Sequence, residues 1–191
     1  FCNNVSPAFL ITYFLTLHLK HPEKAGITVS FLYIIPAFVC LMAFFFCGSS
    51  FSLREKKTSS PVLSLALLDA CLQDALSVLL KLGGYIILFA VLSNVITHIP
   101  RIRAESAAFF SCFLEITGGI PAVTAAFAYP QSYVILLPFL AFGGLCSFMQ
   151  TGSVIKDTPL SLRSYFFTKI LLALLIFLCE ILCITLLPGL F

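Results

Sequence analysis

No charged side chain occurs between residues 27 and 47, and similarly apolar runs occupy residues 82–99, 107–129, 132–149 and 166–187. This pattern constrains the fold more than any motif does. A helix needs about 20 apolar residues to cross the hydrocarbon core of a bilayer. That core holds no water to satisfy backbone N–H and C=O groups, so each crossing segment must satisfy its own. The composition agrees: 60% of the 191 residues are hydrophobic, 10% are charged, and the mean hydropathy is +1.09. A soluble domain carries about 25% charged residues. The expected fold is all-α: a polytopic helical membrane protein with about five to six membrane segments, at least one interrupted by Gly or Pro, plus one amphipathic helix. Residues 1–191 are read as one membrane domain. The chain opens on Phe1 with no basic stretch before the first apolar run, so its start does not read as a signal peptide. It is expected to be a fragment of a longer protein. The net charge of +3 is small and the basic residues fall between the apolar runs, which points to membrane orientation rather than nucleic-acid binding. Trp is absent, and Tyr85, Tyr129, Tyr133 and Tyr165 take the interfacial positions near segment ends.

The most telling single residue is Glu115. It lies inside the apolar run 107–129 and is followed by Thr117, Gly118, Gly119, Ile120 and Pro121. A central acid costs roughly 2.5 to 3.5 kcal/mol to insert. Gly and Pro weaken the helix where that charge lies, and irregular backbone at membrane depth is tolerated only against protein or a cavity. The helix is expected to stop near Thr117 and restart at Pro121. The new half-helix would then turn its N–H groups and positive dipole end toward Glu115 and a polar ligand, as in the discontinuous helices of secondary transporters. The competing reading is a carboxylate that bonds a neighbouring helix. Asn3 and Asn4 precede Ser6 and Pro7, which suit the cap and first turn of a helix running to about Leu19. Their amides could meet a ligand or cap backbone.

Glu180 is a second buried acid, open to three roles: proton or ion coupling, pairing with Lys169 or Lys81, or packing. Direct contact with Lys169 is disfavoured, because eleven residues are about three helical turns. Lys169 is otherwise free to snorkel. Along residues 62–81, Asp69, Gln73, Ser77 and Lys81 recur every four residues among leucines, with Asp74 beside them. This amphipathic helix would lie in the interface or line a polar interior, with residues 82–99 as a separate span. Pro36 should kink the 27–47 span. Gly143 and Gly144, with Ser147 and Gln150 following, offer a close-packing surface with polar groups beside it.

The eight cysteines are scattered without CxxC. Cys179 and Cys183 share a helix face and read as small hydrophobes before they read as soft-metal ligands. His98 reads as interfacial. No metal site and no cofactor is expected, and no nucleophile–base set argues for an enzyme. Orientation is only partly legible. The loops around Arg101 and Lys156 fit one side if 107–129 and 132–149 both cross, whereas the Lys20 and Lys56 loops lie one crossing apart and are both basic.

Four pieces of the chain also match a known pattern: residues 1–9 (Phe1, Cys2, Asn3, Asn4, Val5, Ser6, Pro7, Ala8, Phe9), residues 82–89, residues 114–119 around Glu115, and Phe142, Gly143 and Gly144 with Ser147 and Gln150. In this order they resemble the sporulation integral membrane proteins of the YlbJ type, within the nucleoside recognition (Gate) superfamily. The resemblance implies that the chain is the C-terminal half of paired Gate halves, in the cytoplasmic membrane of a spore-forming bacterium. It also implies a role in spore cortex or coat formation and kinship with nucleoside transporters. The expected function is permease-like, with ligand-binding residues Glu115, Thr117, Gly118, Gly119, Asn3 and Asn4, and Glu180 as a coupling acid. The expected partners are the bilayer, a nucleoside-like or anionic solute, the N-terminal half and a second copy of the chain. The alternative is a non-transporting scaffold for spore assembly.

Overall fold

The structure, a computed structural model, describes residues 4–47, 64–156 and 158–186. Asn3, the basic run 52–60 and the Ser60-Pro61 cap lie outside the described residues. All regular structure among the described residues is helical. We name the helices α1 (Phe9–Leu19), α2 (Pro22–Phe46), α3 (Leu65–Thr97), α4 (Ala104–Leu114), α5 (Ile116–Ala126), α6 (Gln131–Phe142), α7 (Gly144–Ile155) and α8 (Leu162–Leu186). Four lengths of helix are long and apolar enough to cross a membrane: α2, α3, α6 continued by α7, and α8. This marks a multi-pass membrane protein.

The core lies where α1, α2, α4, α5, α6 and α8 meet, around Phe14, Leu32, Ile120, Tyr133, Leu137 and Ile176. One stripe of α8 faces it, because Tyr165, Lys169, Leu172, Ile176 and Glu180 recur at the three- and four-residue spacing of a helix face. Much of the rest is apolar and exposed, as on Phe46, Leu80, Ile87 and Leu178. Lipid is as apolar as these side chains, so their exposure carries no penalty there.

The amphipathic segment and the span after it form one helix. Leu65–Thr97 runs unbroken for 33 residues through Gly83 and Gly84, where an added Cβ would meet no described residue within 4 Å. Ser64 caps it, its hydroxyl accepting from the Leu67 N–H at 3.2 Å. Two helical glycines cost about 1 kcal/mol each, less than breaking the backbone ladder in lipid. Residues 64–81 are exposed throughout, so Asp69, Gln73, Asp74, Ser77 and Lys81 do not line the interior.

The interrupted run does not cross as one helix either. α4 and α5, 11 residues each, fold back on one another as a hairpin. The Phe109 and Phe127 rings stand 5.7 Å apart, and a Cβ on Gly119 would fall 2.4 Å from the Cys112 Cα. Each arm is about 16 Å long at 1.5 Å per residue, half of the roughly 30 Å core. The hairpin therefore returns to the side it left, and Tyr129 shares that side with Arg101. The His21 ring stacks on Tyr129 at 3.9 Å, which places the turn after α1 there too. Since α6 and α7 then cross, the Arg101 and Lys156 loops lie on opposite sides. The sequence left open whether residues 107–129 cross or fold back, and the one-sided placement of these two loops held only for a crossing.

Candidate functional site

The hinge of the hairpin is Glu115 itself, not the Thr117–Pro121 stretch. Its backbone is extended (φ −149°, ψ 120°), and it ends α4 while capping α5. One carboxylate oxygen accepts from the Thr117 N–H at 2.8 Å and the other from the Gly118 N–H at 2.7 Å. Two of the N–H groups left unpaired at any helix start are thereby satisfied, and the negative charge sits on the positive dipole end. The expected open N–H groups are thus filled by Glu115.

Pro121 lies inside α5 rather than at its start. It has no N–H, so the Thr117 carbonyl four residues back loses its helical donor. The Tyr13 hydroxyl replaces that donor, giving a hydrogen bond to Thr117 O at 2.9 Å. The same device recurs at Pro36, which frees the Leu32 carbonyl: the Asn4 amide nitrogen donates to it at 2.9 Å. The winding of α2 widens to a π-helix at Ser30–Ile34, just before that proline. The Tyr33 hydroxyl ties α2 back to the Val5 carbonyl.

A second break faces the first. α6 ends at Phe142 and α7 starts at Gly144, with positive φ at Gly143 (87°) and Gly144 (77°), a region open to glycine at little cost. A Cβ on Gly144 would lie 3.1 Å from the Leu114 carbonyl oxygen. The start of α7 thus sits against the end of α4, joining the positive end of one helix to the negative end of another. Lys169 does not snorkel. It is 2% exposed, and its ammonium donates to the Ala141 carbonyl in the last turn of α6 at 3.1 Å and to Asn4 Oδ1 at 3.3 Å. A cation at a helix C-terminus complements its dipole.

Between the breaks lies a cavity of about 230 Å³. Its polar lining comes from Asn4, Glu115, Thr117, Ser147 and Gln150, and Gly143 forms part of its wall. Of the residues expected to bind a ligand, Asn4, Glu115 and Thr117 therefore come together. Gly118 is exposed beside the carboxylate it hydrogen-bonds. Gly119 does not line the cavity and instead lets the hairpin arms close on Cys112. Glu115 is 5% exposed while Thr117 is exposed, so the cavity has a buried acid and an open rim.

In the sequence Ser147 and Gln150 stood out as polar neighbours of a packing surface and as part of one matching piece, not as ligand-binding residues. Their positions, four and seven residues after Gly143, put them on one helix face. Gln150 lies within α7, and its amide donates to the Cys146 thiol sulfur at 3.4 Å.

Glu180 stands apart from this site. It is 0% exposed and neither oxygen has a hydrogen-bond partner among the described residues. Lys169 is engaged at the α6 end and Lys81 is exposed, so neither forms the ion pair that the sequence left open. No family model, no curated protein and no solved structure matches this chain.

Proposed function

We propose that this chain is a permease-like membrane protein that holds a small polar solute between its two helix breaks. One observation carries the reading: the cavity where the Glu115 hinge meets the Gly143–Gly144 break, with five polar side chains around it. Paired breaks at mid-depth are how transporters build sites that lipid-facing helices cannot. Its volume of about 230 Å³ falls just below the roughly 300–1,000 Å³ of drug-sized sites. A neutral, hydrogen-bonding solute such as a nucleoside suits it better than an anion, because Glu115 brings a negative charge and already occupies the α5 N–H groups.

The five or six membrane segments of this reading are the four long spans, the α4–α5 hairpin and α1. The resemblance to YlbJ-type Gate proteins supplies the setting: the cytoplasmic membrane of a spore former, a role in cortex or coat assembly, and an N-terminal half as partner. The ordered motif set alone supports that setting. The exposed length of α3, with 6% of its most apolar window buried, favours a second reading, a scaffold that presents this helix to a partner.

The test is solute binding and uptake by the full-length protein in vesicles, using a panel of nucleosides, small anions and divalent metals. Ser147→Ala and Gln150→Leu should weaken one solute class at least tenfold, since neither side chain caps a helix. Glu115→Gln should do the same, but its unfolding must be measured alongside because it also loosens the hinge. Solute binding indifferent to all three variants would end the permease reading.

A further inference from the structure

The carboxyl of Glu180 is unused by the proposed solute site and unexplained by packing. It sits on the core face of α8, among Ile176, Cys179 and Cys183. Neither oxygen is hydrogen-bonded by any described residue, and with 0% exposure the side chain is closed to solvent in this conformation. A lone carboxylate in such a place is costly, and the neutral carboxylic acid is favoured over it.

The surroundings are specific. The Tyr133 hydroxyl of α6 lies within electrostatic reach of Glu180 and is hydrogen-bonded to the Thr28 hydroxyl of α2 at 2.8 Å. The Tyr129 ring meets Tyr133 edge-on at 6.4 Å, and the Tyr129 hydroxyl is buried without a hydrogen-bond partner among the described residues. Tyr129 in turn stacks on His21, whose Nδ1 is 2.7 Å from the exposed Glu23 carboxylate. Among the described residues, the titratable groups around Glu180 are Tyr133 of α6, with Tyr129 beyond it, and Cys179 and Cys183 on its own helix. α2 contributes the neutral Thr28, and α7 meets α8 at the far end, where Phe148 packs on Tyr165.

We propose that Glu180 is a proton-binding site of this membrane domain, separate from the Glu115 cavity and served from the His21–Glu23 surface past Tyr129 and Tyr133. The step is one proton from water added to a carboxylate, giving a neutral acid, and its reversal. Passage needs the Tyr129 and Tyr133 hydroxyls to turn toward the carboxyl, since neither the Glu180 oxygens nor the Tyr129 hydroxyl is hydrogen-bonded among the described residues; each tyrosine that takes up a proton passes one on, without net change.

The experiment needs no solute, so it can fail or succeed independently of the permease reading. The full-length protein in vesicles is treated with dicyclohexylcarbodiimide, which attacks protonated carboxyls in apolar surroundings, and the adduct is mapped by mass spectrometry. Glu180 should be labelled, and Glu115, both of whose oxygens accept backbone N–H bonds, should not. Labelling should fall several-fold as the pH is raised. Tyr133→Phe should still be labelled, but its reactivity, sampled by short pulses of reagent after an upward pH jump, should fall more slowly, and Glu180→Gln, isosteric with the neutral acid, should fold and remove the label. No adduct at Glu180, an adduct at Glu115 in its place, or protection by sodium, which would mark a cation site, overturns the proposal.

Discussion

The Thr117 carbonyl offers a sharp test of how the hinge is held. Pro121 removes its helical donor and Tyr13 supplies another, at 2.9 Å across 104 positions of sequence. Tyr13→Phe deletes only that hydroxyl. It keeps the ring that stacks on Phe9 at 4.9 Å and meets His18 at 4.6 Å. A net hydrogen bond contributes about 0.5–1.5 kcal/mol, and a stranded buried acceptor costs about 1–3 kcal/mol. Thr117 borders the cavity, where water offers partial relief, so a loss of about 1 kcal/mol is expected. In a chain of this size that shifts the unfolding midpoint by about 2–4 °C. Pro121→Ala restores a backbone N–H at position 121, and that N–H points at the same carbonyl. In that background Tyr13→Phe should cost almost nothing, which leaves a coupling energy of about 1 kcal/mol in a double-mutant cycle. The assay is reversible unfolding in detergent micelles of the four proteins. Additive costs within about 0.3 kcal/mol would refute the claim that Tyr13 substitutes for the donor that proline lacks.

Gly119→Ala should destabilise by about 3 kcal/mol, the upper end of overpacking, because its Cβ would meet Cys112 backbone atoms at 2.4–2.7 Å; Gly118→Ala, which meets only a carboxylate oxygen at 3.3 Å, should be far milder in the same unfolding assay. Gly143→Ala should cost about 1–2 kcal/mol for its left-handed backbone, whereas Gly83→Ala, in open helix, should stabilise by up to about 1 kcal/mol; equal effects at both positions would deny that only one break is built. Lys169→Met should weaken the α6 end and raise amide exchange around Gly143, and an unchanged exchange pattern would show that the ammonium caps nothing. Ser64→Ala should cost about 1 kcal/mol and fray the first turn of α3, measurable by exchange at Leu67.

Much of this was legible in the residues. Apolar runs fixed the helices, and an acid followed by glycines and a proline placed a break within a few residues of its true position. The hinge itself was misplaced because propensity favours Gly and Pro as breakers, while the deciding factor was that a glutamate side chain can cap the helix following it. The three Gly-Gly pairs make the limit plain. Residues 83–84 stay helical with nothing near them, residues 118–119 close a hairpin, and residues 143–144 break a span. The dipeptide is the same, and the neighbour decides. Lys169 was misread for a similar reason, since the carbonyl it caps belongs to a helix 28 positions away. Asn4 was read as ligand or cap, and its cap target, Leu32, became visible only in three dimensions.

The hairpin also bears on how such a protein is made. An 11-residue arm is too short to be threaded across a bilayer as a crossing segment, which takes about 20 residues, and its tip carries a charge. Lipid alone offers that tip no partner. Its surroundings come from the α6–α7 break, which is synthesised afterwards, and from residues near Asn4, synthesised long before. Burial of the hairpin tip must therefore wait for α7, so the polar cavity cannot close before that helix has been made.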